Sequence, residues 1–236
     1  MTTNAVHRPT SLVEGVCREL ADLIRGPSSD EERWLPGERS LAEQLGVSRT
    51  VVREATKRLE QQGLLEIQHG AGIKVVDKLH RPLNGSLSIL IPNETDRLRQ
   101  LNEARLAIEP ESARLAAVRA TAAQIKGLRA LHQSLTKAAD NDAAIQIDLE
   151  FHRALAEASG NLIFRLILDS LAEVGQASRR RTIGRVGKEA AISQHAAILA
   201  AVEKHDPAAA ETAMRHHIVA AGEDMQLEPA RSRTAK

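Results

Sequence analysis

Residues 36–76 read PGERSLAEQLGVSRTVVREATKRLEQQGLLEIQHGAGIKVV, and they decide how the amino-terminal part of the chain folds. Pro36-Gly37 is a turn. From Glu38 to Gly46, Leu41, Ala42 and Leu45 recur at helical spacing, and Gly46 suits a left-handed C-cap. Ser48 offers a side-chain acceptor for a second helix that runs to about Gln62 and stops at Gly63. Two short apolar runs, 64–68 and 73–76, flank His69-Gly70-Ala71-Gly72 and predict a β-hairpin. At about 100° per residue, Val51, Val52, Ala55 and Leu59 gather on one side of the second helix, and Arg49, Arg53 and Lys57 on the other. A row of three cations is by itself more often a solvated face than a binding one. Combined with a short brace helix, a Ser-capped helix and a Gly-tipped hairpin, it predicts a winged helix-turn-helix that reads double-stranded DNA. The second helix would enter the major groove, where an Arg can pair bidentately with guanine, and the hairpin, with His69 and Lys74, would serve as a wing.

Working outward, Leu12, Val13, Val16, Leu20, Leu23 and Ile24 predict a first helix over residues 10–25, broken by Gly26-Pro27-Ser28-Ser29. With 236 residues, 42% hydrophobic and 27% charged, the chain has room for two ordinary globular domains and is not wholly disordered. Trp34, Phe151 and Phe164 are its only aromatics, so the cores are aliphatic and favour packed helices. Net charge is +1, and residues 1–76 hold ten Lys/Arg against eleven Asp/Glu, so DNA binding gains no support from bulk charge. The single Cys17 forms no internal disulfide, and no stretch has the apolar length of a membrane span. These features predict a cytoplasmic protein without membrane association.

Residues 77–92 contain Pro82, Gly85 and Pro92 and read as a linker, with one helical turn around 83–90. Residues 93–225 read as all-α, followed by a polar tail at 226–236. Thr121-x-x-Gln124 resembles a capping box, Asn141 is a candidate cap for a helix through Ala158, and Asp206-Pro207 starts another. Gly160 and Gly184 punctuate the remaining helices, and Glu109-Pro110 predicts a kink or restart. Along the helix through Ala158, Asp148 and His152 lie one turn apart at the edge of the buried stripe. A carboxylate and an imidazole at this spacing are either a hydrogen-bonded pair or two metal ligands on one face. His195 and His217, on two further helices, would complete a three-His, one-Asp site suited to zinc, nickel or manganese. His216, beside His217, competes for the inward place. Arg179-Arg180-Arg181 reads as a solvated run.

Residues 35–77 resemble the amino-terminal domain of GntR-type bacterial regulators. NEARLAIEPESARLAA (102–117), DLEFHRALAEASGN (148–161), QHAAILAAVEKHDPAAA (194–210) and AMRHHI (213–218) resemble the helical FCD ligand domain of the FadR subfamily. The first resemblance implies operator contacts from Arg39, Arg49 and Arg53 and a wing residue at His69. Together with the helix-turn-helix pattern it makes Arg39, Ser48, Arg49, Thr50, Arg53, Lys57, His69 and Gly70 the candidate DNA contacts. Val51 departs from a usual Pro, and Thr56 from a usual Leu. The second implies metal ligation by Asp148, His152, His195 and His217, with a small carboxylic acid on the metal and on Arg105, and Asn161 lining the pocket. Without the resemblance, Arg105 reads as a partner of Glu109 and Asn161 as a helix cap.

The expected protein is a mostly α, homodimeric, ligand-responsive transcription regulator that represses a roughly palindromic operator until an acid binds, and it is not an enzyme. Three alternatives stay open. A metal-dependent hydrolase with a DNA-targeting domain would need a general base, and Glu150 and Glu157 point away from the Asp148/His152 face. A metal-free regulator responsive to an acyl thioester would not need the ligand set. An architectural DNA binder would ignore metabolites.

Overall fold

The computed structural model describes residues 11–25, 33–68, 72–76 and 81–226. The break at Gly26–Ser29, the hairpin tip with His69 and Gly70, residues 77–80 of the expected linker and the tail from 227 onward lie outside the described residues. The chain divides into two compact units, Met1–Pro82 and Leu83–Lys236.

In the first unit, α1 (Leu12–Arg25), α2 (Glu38–Leu45) and α3 (Arg49–Gln61) surround one core. Val16 and Leu20 of α1, Leu41 and Ala42 of α2, and Val52, Ala55 and Leu59 of α3 meet Leu35, Leu65 and Ile73 there. Gly46 closes α2 at φ +65°, a conformation that costs an L side chain about 1–2 kcal/mol, and Ser48 caps α3 by accepting from the Val51 N–H. The hairpin strands β2 (Leu65–Gln68) and β3 (Gly72–Val75) pair antiparallel, as their alternation requires. A third strand, β1 (Trp34–Leu35), pairs with the free edge of β3. Two residues are too few to show a period, which is why β1 leaves no mark in the sequence. Thr56, in place of a usual Leu, is fully buried and turns its hydroxyl back to the Arg53 carbonyl at 3.1 Å.

The second unit is helical: α5 (Glu94–Arg119), α6 (Ala122–Thr136), α7 (Asn141–Ala158), α8 (Leu162–Ser170), α9 (Ala172–Val186), α10 (Glu189–Glu203) and α11 (Pro207–Asp224). Its first helix, α4 (Arg81–Leu90), starts at the division between the units and occupies ten residues of the stretch expected as a linker. Pro82 falls in its first turn, where a helix has no use for the missing N–H. Other local expectations need correction. Asp140, not Asn141, caps α7. Gly184 lies inside α9, which ends at Gly187. Pro110 neither restarts nor ends α5, which continues for 26 residues. The Thr121/Gln124 capping box and the Asp206-Pro207 start form as expected. Ala113, Ala116, Leu128, Phe151, Leu155, Ile198, Val202, Met214 and Ile218 make the main core, where small alanines let α5 approach its neighbours closely.

Candidate functional site

In the first unit, Arg49, Thr50, Arg53 and Lys57 are all exposed on one face of α3, opposite the buried Val52, Ala55 and Leu59. Glu54 is taken by Arg58 at 3.3 Å, and among the described residues no ion pair holds Arg49, Arg53 or Lys57. The guanidinium row is therefore available to a polyanion. Arg39 and Arg49 flank a shallow hollow at the α2–α3 turn, with Arg39 steadied by Glu43 at 3.1 Å. Ser48 spends its hydroxyl on the α3 cap. Lys74 lies over the Trp34 ring at 5.8 Å, which fixes its stem beside the hairpin.

In the second unit, Asp148 and His152 of α7, His195 of α10 and His217 of α11 are all buried, and one donor atom from each lies within 4.8 Å of the others. His217 faces inward and His216 is exposed, because they follow Met214 by three and two residues. His195 Nε2 lies 3.2 Å from Asp148 Oδ1, His152 Nε2 3.6 Å from Asp148 Oδ2, and His152 Nε2 3.1 Å from His217 Nε2. Phe151 stacks on the His195 ring at 4.2 Å between centroids and fixes its plane.

Apart from the Arg105–Glu109 pair, which the spacing offers and the structure forms, the partners of these groups are what sequence reasoning missed. Glu109 of α5 accepts from His152 Nδ1 through Oε2 and from Arg105 Nε, at 2.6 Å, through Oε1. Gln194 Oε1 accepts from His217 Nδ1 at 2.7 Å. Arg179, expected in a solvated run, is buried and paired with Asp148, and its neighbour Arg181 donates to the Met225 carbonyl. Arg180 and Arg181 are exposed, and only Arg179 of the three is buried. The small face of α9 (Gly175, Ser178, Thr182) was the legible signal, since it marks the side on which Arg179 packs inward. A Cβ at Gly175 would already lie 3.3 Å from the Arg179 guanidinium.

The arrangement fits a transition metal. Acceptors on both Nδ1 atoms leave the Nε2 lone pairs of His152 and His217 facing each other at 3.1 Å, which is unfavourable unless a cation is shared. Metal–nitrogen bonds of about 2.1 Å place ligands at right angles about 3.0 Å apart, and tetrahedral ones about 3.4 Å apart. Both ring nitrogens of His195 are buried without a hydrogen bond among the described residues. Burial pushes His195 down to about 3, and burial followed by the neighbouring His195 and His152 holds His217 well below the imidazole range. Both rings are thus neutral donors. Burial opposes ionisation of Asp148, but Arg179 and then the imidazoles hold its carboxyl well below the usual range. Glu109 is likewise kept ionised, against burial, by Arg105 and His152. A cavity of about 30 Å³ adjoins the cluster, lined by Arg105, Arg179, Thr182, Gln194, His217 and Asp224 among others. Arg105 is buried and its Nη2 has no partner among the described residues. Asn161 is not among the residues lining this cavity and caps α8 by accepting from the Ile163 N–H at 3.1 Å.

A cation-faced helix-turn-helix and a helical unit with a buried polar pocket together define a transcription regulator whose DNA binding answers to a small molecule. Residues 12–75 match the bacterial regulatory proteins of the gntR family, and residues 100–220 match the FCD domain. The chain is 33% identical over 214 residues to the HTH-type transcriptional repressor NanR of Escherichia coli K12, covering 88% of this chain and 81% of that one. It is 35% identical over 217 residues to NanR of Citrobacter rodentium, covering 88% and 82%. A solved GntR structure from Streptococcus agalactiae matches with a TM-score of 0.71 at 30% identity, over 88% of this chain and 98% of the other. The chain belongs to the GntR family of bacterial regulators, in the branch that carries an FCD domain. It is a ligand-responsive DNA-binding regulator, and its family is not one of enzymes, which removes the hydrolase alternative. Among the described residues no helix is long and apolar enough to cross a membrane.

Proposed function

We propose that this protein is a cytoplasmic, homodimeric repressor that leaves a roughly palindromic operator when a small carboxylic acid binds a metal-centred pocket. Arg39, Ser48, Arg49, Thr50, Arg53 and Lys57, with His69 and Gly70 of the wing, make the operator contacts. Arg49, Arg53 and Lys57 carry the base and phosphate contacts of α3, and two copies of the chain engage successive half-sites. Asp148, His152, His195 and His217 hold a divalent transition metal, with zinc, nickel and manganese the candidates. When bound, the ion supplies a Lewis-acidic centre for one oxygen of the effector carboxylate. Arg105 orients that carboxylate through its Nη2, which has no partner among the described residues.

One observation carries this reading: four buried donor atoms converge within 4.8 Å beside a buried arginine with an unpartnered Nη2, at the wall of a cavity. An acid that regulates DNA binding from this cavity binds two arrangements of the helices that line it, α9, α10 and α11 among them, unequally, which is the condition for shifting a conformational equilibrium.

Elemental analysis of protein purified without added metal, with fluorescence anisotropy on operator DNA, tests the proposal. Roughly one transition metal per chain is expected, together with loss of operator affinity on adding the cognate acid. Asp148→Ala removes that response but leaves operator binding by the acid-free protein. Protein without metal, or a folded Asp148→Ala variant that no longer binds operator, refutes it.

A further inference from the structure

Glu109 sends its two carboxylate oxygens to two different functions. Oε2 meets His152 Nδ1, and Oε1 meets Arg105 Nε at 2.6 Å. Glu109 and Arg105 lie one helical turn apart on α5, while His152 projects from α7, and all three side chains are buried. An imidazole whose Nδ1 donates to a carboxylate is held in the tautomer with a bare Nε2, and His152 Nε2 is the atom that faces His217 and Asp148. On the other side, a guanidinium held at Nε keeps its terminal nitrogens for another acceptor, and Arg105 Nη2 has no partner among the described residues.

From this geometry we infer that Glu109 is a positioning residue that joins the metal centre to the effector anchor. It fixes His152 as a metal ligand and Arg105 as a carboxylate ligand through one rigid carboxylate. The inference rests on the metal-centred reading above. It goes further by giving a buried residue outside the ligand set the task of making the metal and the effector depend on each other. A ligand that pulls on Arg105 pulls on Glu109, and through it on the ring that ligates the metal. Metal and effector affinities are then reciprocally coupled, as linkage requires. The contact is available because Arg105 and Glu109, four residues apart on α5, share one helix face, and Glu109 reaches His152 of α7 from it.

Nitrogen-15 NMR of the histidine rings in metal-free protein reads the first half directly. His152 is expected as the Nδ1–H tautomer in the wild type and is driven toward Nε2–H in Glu109→Gln, whose amide donates where the carboxylate accepted. Titration with zinc alone then reads the consequence: Glu109→Gln loses about 10–100-fold in affinity. Glu111→Gln, on the exposed side of α5, loses none. The Arg105 Nε–H, protected from solvent exchange by Oε1 in the wild type, keeps that protection in Glu109→Gln, whose single amide oxygen stays on the guanidinium while its NH2 group faces His152. Glu109→Gln strands a buried guanidinium, so the double variant Glu109→Met/Arg105→Met is the second test. It keeps the volume without either charge, folds, and shows the same loss of zinc affinity. A wild-type His152 already protonated at Nε2, or zinc affinity unchanged in the folded variants, overturns the role of Glu109. Wild-type protein that takes no zinc overturns the metal-centred reading instead, while the tautomer measurement still decides the orientation of His152.

Discussion

Asp148→Asn is the sharpest test of how the polar cluster is built, because the substitution keeps the shape and removes only the charge. In the wild type, Arg179 is buried against Asp148, and its remaining described contact, from Nη1 to the Gly175 carbonyl at 3.2 Å, is neutral. Losing the carboxylate leaves a buried guanidinium without a counter-charge, which costs about 3–5 kcal/mol. The compact unit that contains both residues is 154 residues long (83 to 236), and at this size each kcal/mol lowers Tm by about 2–4 °C, so a drop of about 6–20 °C is expected. The measurement is a thermal melt followed by helical circular dichroism, with chelator present in both samples so that bound metal adds no stability of its own. The control is the exposed pair Arg99–Glu103, at 2.6 Å, where Glu103→Gln should cost about 1 kcal/mol or less. The double variant Asp148→Asn/Arg179→Met recovers most of the loss, because both charges have left the interior, but it regains no metal binding. A fall of less than about 1 kcal/mol in the single variant, or no recovery in the double one, would refute the assignment of Arg179 as the counter-charge of Asp148.

Three further outcomes are expected. Arg53→Ala weakens operator binding by about 1–3 kcal/mol and broadens base preference at one position, measured by anisotropy across single-base operator variants. Acid destabilises the metal-free effector unit: His195 is pushed down to about 3 and His217 is also lowered, so the unfolded chain binds more protons. The resulting stability is complete above the unfolded imidazole value near 6.5 and declines from there toward pH 3, so melts at pH 7.5 and 5.5 should differ, with the lower Tm at pH 5.5. Gly127→Ala in α6 gains about 0.5–1 kcal/mol by denaturant unfolding, since the position is exposed mid-helix and an added Cβ meets nothing within 4 Å.

The expected fold class was legible because it rests on local rules. The Val52/Ala55/Leu59 stripe against Arg49/Arg53/Lys57, the Ser48 cap and the Gly46 stop are each decided within one or two helical turns. The same holds for the Thr121 box and the Asp206 cap. The errors arose where a local signal was weak or shared by neighbours. Asp140 and Asn141 are both competent caps, and only the path of the preceding turn selects the first. Gly184 carries no mark that separates a helix interior from an end. Glu109-Pro110 reads as a kink or a restart, and the helix does not restart there, since burial on α5 outweighs one missing hydrogen bond.

By itself the sequence determined the two-part architecture, the cation-faced recognition helix and the three-His, one-Asp set as a possibility, because the period of a helix places residues on faces without reference to anything distant. The tertiary structure decided which of these possibilities are real contacts. It brought His195 and His217 to Asp148 and His152 and turned His217 rather than His216 inward. It also took Arg179 out of a run that looks solvated and set it against Asp148, and it placed Glu109 between Arg105 and His152. Such pairings join helices that lie tens of residues apart in the chain. Their energies come from burial and the low dielectric that surrounds them, and burial belongs to the packed molecule, not to any segment of it.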